Sequence, residues 1–117
     1  MRSISVQVQP ERSPGIDMDA ICDAFTAIAS DSDLVAHHVF DSGKDRGAYF
    51  NFTFGALKPL AVWREIQSRL YEARDTGAHM KRASMAMCSA EDGWDDYLQL
   101  FHFDPTIQLD STDSLSD

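Results

Sequence analysis

Among the residues of this sequence that could do chemistry are four histidines and three tyrosines, and two of the histidines, His37 and His38, are adjacent. Neighbouring residues of a strand point to opposite faces, so this pair cannot share a metal ion. One of the two must face the same way as Tyr49 and Asn51 of the strand that follows. A histidine beside Asn51 and Tyr49 would make a small acid–base pocket, the imidazole moving a proton while the amide or the phenol holds an oxyanion. Which histidine joins them stays open: Val35 and Val39 favour burying the His37 set, whereas Ala36 and Phe40 favour burying the His38 set. His79 falls in a turn and His102 near a strand end. Scattered in this way the histidines lack ligand spacing, and neither a metal nor a cofactor is expected. No Ser-His-Asp order, glycine-rich phosphate loop or reactive-cysteine context accompanies them.

A second group differs in kind. In Glu91-Asp92-Gly93-Trp94-Asp95-Asp96, followed by Tyr97, four carboxylates flank a tryptophan at what reads as a hairpin tip. A large aromatic ringed by charge is the composition of a protein-binding hot spot, the indole supplying burial and Glu91, Asp92, Asp95 and Asp96 steering a basic partner. The spacing does not match a calcium loop. Cys22 and Cys88 lack the spacing of a disulfide framework and are expected as buried, reduced thiols.

The elements that must position these groups are arranged around Ala48–Phe54. There Phe50, Phe52 and Phe54 alternate with Tyr49, Asn51 and Thr53, which gives a strand one oily face and one polar, uncharged face. Ile4, Val6 and Val8 alternate with Ser3, Ser5, Gln7 and Gln9 in a first strand closed by Pro10. Asp17 caps a helix whose apolar stripe runs Met18, Ile21, Cys22, Phe25, Ile28, Ala29. Leu34–Phe40 reads as a second strand, joined to the central one by a hairpin. Pro59 opens a second helix lined by Val62, Trp63, Ile66, Leu70 and Ala73 and ended at Gly77. Lys81–Ser89 and Tyr97–Phe103 read as strands four and five.

This order predicts an α+β ferredoxin-like sandwich (βαββαβ) with an added C-terminal strand, both helices lying on one face of an antiparallel sheet. Residues 1–105 form one domain, and residues 106–117 form an acidic tail too polar to order. The other sheet face is left bare, carrying Gln7, Tyr49, Asn51, Thr53 and one histidine.

Composition narrows the partners. A 44% hydrophobic and 25% charged chain of 117 residues is globular rather than disordered. Its net charge of −9 repels phosphate backbones and anionic lipid, so neither nucleic acid nor membrane is an expected partner. With no apolar run suited to a leader or a membrane span, a cytoplasmic location is expected.

The stretch from Gly93 to Pro105, with its acidic hairpin and aromatic strand, resembles the small acidic immunity proteins of bacterial contact-dependent inhibition and polymorphic-toxin systems. The resemblance implies a non-enzymatic inhibitor, a monomer or weak homodimer that occludes the active site of a basic toxin domain such as a nuclease through Glu91, Asp92, Trp94, Asp95, Asp96 and Tyr97. The strand order is also similar to that of dimeric ferredoxin-like proteins of the antibiotic-biosynthesis monooxygenase type. That likeness implies the alternative, a small-molecule enzyme or ligand-binding protein using His37 or His38 with Tyr49 and Asn51.

Overall fold

The computed structural model describes residues 1–117, and its backbone follows the alternation of the sequence closely. In order the elements are β1 (Ser3–Val8), a short 3-10 turn (Pro10–Arg12), α1 (Met18–Ala29), β2 (Val35–Lys44), β3 (Ala48–Ala56), α2 (Pro59–Ile66), a π-turn (Gln67–Tyr71), α3 (Gly77–Ala83), β4 (Ser84–Ala90) and β5 (Gly93–His102). The protein is thus α+β, with three helices and a five-stranded sheet in the order β2-β3-β1-β4-β5. All its neighbouring strands pair antiparallel.

One face of the sheet is buried by helices. Ile4, Val6 and Val8 of β1, Phe52 and Phe54 of β3, and Ala86 and Cys88 of β4 meet Ile21, Phe25 and Ile28 of α1 and Val62, Trp63 and Ile66 of α2 in one core. Phe25 stacks on Phe52 at 4.1 Å and lies 5.9 Å from Phe54, so the centre of α1 is pinned to the middle of β3. Such aromatic pairs contribute about 0.5–1.5 kcal/mol beyond the area they bury. Asp17 caps α1 as its position suggested, its carboxylate accepting from the Ala20 N–H at 3.1 Å.

Apart from β2, which runs on to Lys44 rather than ending at Phe40 and so brings Asp41 into the sheet, the chain departs from the sequence-based expectation in three places. The second helix does not run on to Gly77. It widens into the π-turn, which lets the consecutive residues Leu70 and Tyr71 both face the core, and Gly77 opens α3 instead. Lys81–Ala83 therefore lie in a helix rather than in β4. A seven-residue helix is too short for its period to stand out from the alternation that follows it.

The acidic hairpin is also different. Only Glu91 and Asp92 form the turn, and Trp94, Asp95 and Asp96 belong to β5. Here β4 advances only from Cys88 to Ala90 while β5 spans Gly93 to Leu98, so the residues between bulge out of the ladder.

The tail, expected to be disordered, packs. Leu115 is 6% exposed within the core, the Ser116 carbonyl accepts from the Leu60 N–H at 2.9 Å, and Asp110 exchanges two hydrogen bonds with Gln99 of β5. A single leucine repays ordering here because the strap also satisfies a donor in the first turn of α2 and the free edge of β5. No helix is long and apolar enough to cross a membrane.

Candidate functional site

The uncovered face of the sheet carries a row of polar side chains in mutual contact. Register places Gln7 opposite Asn51, and Asn51 opposite Asp41. The Gln7 amide donates to Asn51 Oδ1 at 3.0 Å, and the Asn51 amide donates to Asp41 Oδ1 at 3.0 Å. At the other end the Gln9 amide donates to Gln7 Oε1 at 2.8 Å, and Arg12 Nε donates to Gln9 Oε1 at 2.5 Å. Every amide in this row points the same way. A guanidinium stands at one end and a carboxylate at the other, so the aligned dipoles reinforce one another.

The turn bearing Arg12 is anchored from both sides. Glu11 Oε2 accepts from the Ala48 N–H at 2.9 Å, fixing the turn to the start of β3. The fully buried Ser13 meets His79 Nδ1 at 2.6 Å and receives a hydrogen bond from Arg82 Nε at 3.2 Å, fixing it to α3. The Arg12 guanidinium also lies over the Phe103 ring, 3.8 Å from its centroid. Tyr49 covers Gly43 on the adjacent strand, a position where any β-carbon would strike the phenol ring.

Between this turn and the β2–β3 hairpin lies a cleft of about 480 Å³, walled by Gln7, Arg12, Arg46, Tyr49 and Asn51 among others. Arg12 and Arg46 are the cationic groups of its wall. Neither has a carboxylate oxygen within 4.0 Å, whereas Arg2 and Arg69 are paired with Glu91 and Glu65. Glu11 and Asp45 supply carboxylates to the same wall.

The histidine pocket expected from the sequence is not assembled. His37 does share the open face, its ring lying against Gly55, but His38 is opposite Phe54 and its ring stands 4.9 Å from that of Phe40. Gly55 is four residues along β3 from Asn51, roughly 13 Å at the rise of a strand, and farther still from Tyr49. Tyr49 and Asn51 are brought together with glutamines and arginines instead. Of these, Gln7 and Gln9 were legible from alternation alone. Glu11, Arg12 and Arg46 carried no signal beyond that of loop residues, because their meeting depends on how the two loops fold over one end of the sheet.

The acidic group is also redistributed. Glu91 pairs with the amino terminus at 3.2 Å and with Arg2 at 3.8 Å. Asp92 stays in the turn, and the bulge leaves Trp94 43% and Tyr97 47% exposed beside Asp95 and Asp96. No three histidine, cysteine, aspartate or glutamate side chains converge closely enough to hold a metal ion. Cys22 and Cys88 lie away from the cleft, and burial pushes both thiols above their ordinary range, helped at Cys22 by Asp19 and Asp23. Burial also raises the Tyr71 phenol, which meets Ser84 Oγ at 2.6 Å.

No protein family matches the sequence, and no curated protein does. In its fold the chain is similar to a phage SAM lyase in complex with S-methyl-5'-thioadenosine, with a TM-score of 0.50 and 11% sequence identity over 86% of this chain and 89% of that one. At such identity the likeness bears on the fold alone. The expectation of a non-enzymatic inhibitor of a toxin is corrected on this finding: the protein of similar fold is an enzyme, in complex with a small ligand.

Proposed function

We propose that this chain is a small-molecule enzyme whose substrate lies in the cleft on the open sheet face, built on a ferredoxin-like sandwich extended by one edge strand. The observation that carries this reading is the oriented row from Arg12 to Asp41, which runs beside two arginines without carboxylate partners on a face that no helix covers. Such a row is costly to order unless something uses it, since each amide must give up rotamer freedom on a surface where water would serve equally well.

The lining includes no cysteine, serine or histidine. Glu11, Asp45 and Tyr49 are the groups able to take or give a proton, and the arginines and amides are the groups able to hold a charged substrate in place. Proton transfer on an oriented polar molecule is the reaction class that fits. The similarity of fold makes S-adenosylmethionine and S-methyl-5'-thioadenosine the first ligands to try.

Calorimetric titration with both compounds tests the proposal. Saturable binding of at least one is expected, weakened tenfold or more by Asn51→Leu, a change of about 1.4 kcal/mol. Absence of binding by both, or binding that Asn51→Leu leaves unchanged, would contradict it.

A further inference from the structure

Arg12, like Arg82, is oriented without being neutralised, and of the two it is the one that lines the cleft. Its Nε is spent on Gln9, and one face of its guanidinium is spent on Phe103. Neither contact supplies a negative charge. Gln9 is itself held by Gln7, Gln7 by Asn51, and Asn51 by Asp41, so the geometry of the guanidinium is set by a chain of contacts reaching across three strands. Its neighbours Glu11 and Ser13 anchor the backbone on either side. The two terminal nitrogens of the guanidinium make no hydrogen bond shorter than 3.5 Å within the chain.

Five of the seven arginines have no carboxylate oxygen within 4.0 Å, and Arg12 and Arg46 are the two of these that line the cleft. Arg46 stands on the opposite wall of the same cleft, also without a carboxylate within 4.0 Å, at the tip of the β2–β3 hairpin with a φ of 60°. A non-glycine residue pays to hold that left-handed conformation. A fork of parallel N–H donors held in place is the arrangement that takes a planar anionic group through two hydrogen bonds, and its ordering cost is met before the ligand arrives.

We propose that the cleft contains an anion subsite in which Arg12 receives a pair of anionic oxygens, a carboxylate or a phosphate, with Arg46 closing over it from the hairpin side. This rests on the cleft being the ligand site and adds the chemical class of one end of the ligand. The substrate is then a small molecule with a terminal anionic group, its remainder lying along Gln7, Asn51 and Tyr49.

The test uses the native protein labelled with 15N, following the Arg Nε–H resonances during separate titrations with acetate and with inorganic phosphate. The Arg12 resonance is expected to move and saturate with at least one anion, at a concentration tenfold or more below any response of the exposed Arg74. The anion that saturates at lower concentration identifies the group. An Arg12 response that is linear and no larger than that of Arg74 with both anions would overturn the subsite.

A second arm separates this proposal from the ligand reading beneath it. S-adenosylmethionine carries a carboxylate and S-methyl-5'-thioadenosine does not, so Arg12→Gln is expected to change the ratio of their affinities at least tenfold. An unchanged ratio would overturn the subsite while leaving the cleft as the ligand site. Saturation at Arg12 by a simple anion with binding of neither adenosyl compound would support the subsite and overturn the proposed function beneath it.

Discussion

Replacing Leu115 with alanine is expected to destabilise the fold by about 2 kcal/mol. The side chain is 6% exposed, so nearly all of its apolar surface leaves water on folding, a gain of roughly 1.5–3 kcal/mol for a leucine. Alanine retains only a small part of that and leaves a gap. The strap that carries Leu115 is otherwise exposed and can relax into the gap, which places the loss at the low end of those seen for buried leucines. Loosening the strap also weakens the hydrogen bond from the Leu60 N–H to the Ser116 carbonyl, worth at most about 1 kcal/mol because water can replace it. Urea unfolding followed by far-UV circular dichroism reads the effect directly. With a slope of about 1–3 kcal/mol per molar urea, the midpoint should fall by about 1 M. A midpoint moved by less than about 0.3 M would refute the docking of residues 106–117 and restore them as a solvated tail.

Three further expectations follow from the same contacts. In a double-mutant cycle, Gln7→Ala and Asn51→Ala should couple by about 0.5–1 kcal/mol in unfolding free energy, and additivity would mean that the amide row is a solvated surface rather than a connected one. Tyr71 should stay protonated in the folded chain well above the ordinary tyrosine value of 10.0. The folded state then holds more protons than the unfolded one, so this part of the stability is full below pH 10.0 and is lost as pH rises. Tyr71→Phe should flatten that alkaline decline, and an unchanged slope would contradict the assignment. Because burial and the nearby Asp19 and Asp23 raise the Cys22 thiol, its alkylation by iodoacetamide at pH 8 should be slower than that of free cysteine and should speed up in Asp19→Asn. Equal rates in the two proteins would remove Asp19 as a cause.

Much of the fold was legible because it follows from alternation. Phe52 and Phe54 against Tyr49, Asn51 and Thr53 fix the two faces of β3 and, through register, those of β1 and β2. What alternation cannot supply is length and register at irregular places. The bulge opposite Cys88 turned a supposed acidic loop into strand, and the π-turn shifted the second helix off a simple period. Leu115 was hidden by its neighbours: one leucine among serine, threonine and aspartate has the composition of a solvated tail, and only the core position open to it makes the difference.

The site was half legible for a related reason. Tyr49 and Asn51 were marked by being polar, uncharged and central. The histidines misled because sharing a face says nothing about distance along the strand, and one strand's length separates His37 from Tyr49. Arg12 and Glu11 sit in a Pro10–Arg12 turn whose sequence announces a loop and no more. Their role comes from long-range contacts that no local pattern encodes, of Glu11 with Ala48, of Arg12 with Phe103 and of the adjacent Ser13 with His79.

The most direct test of the central claim is amide chemical-shift mapping of the 15N-labelled chain during titration with S-adenosylmethionine and with S-methyl-5'-thioadenosine. A small-molecule site in the open-face cleft predicts saturating shifts concentrated at Gln7, Gln9, Ala48, Tyr49 and Asn51, with Trp94–Tyr97 unmoved. No shifts with either compound, or shifts concentrated at Trp94–Tyr97, would contradict it.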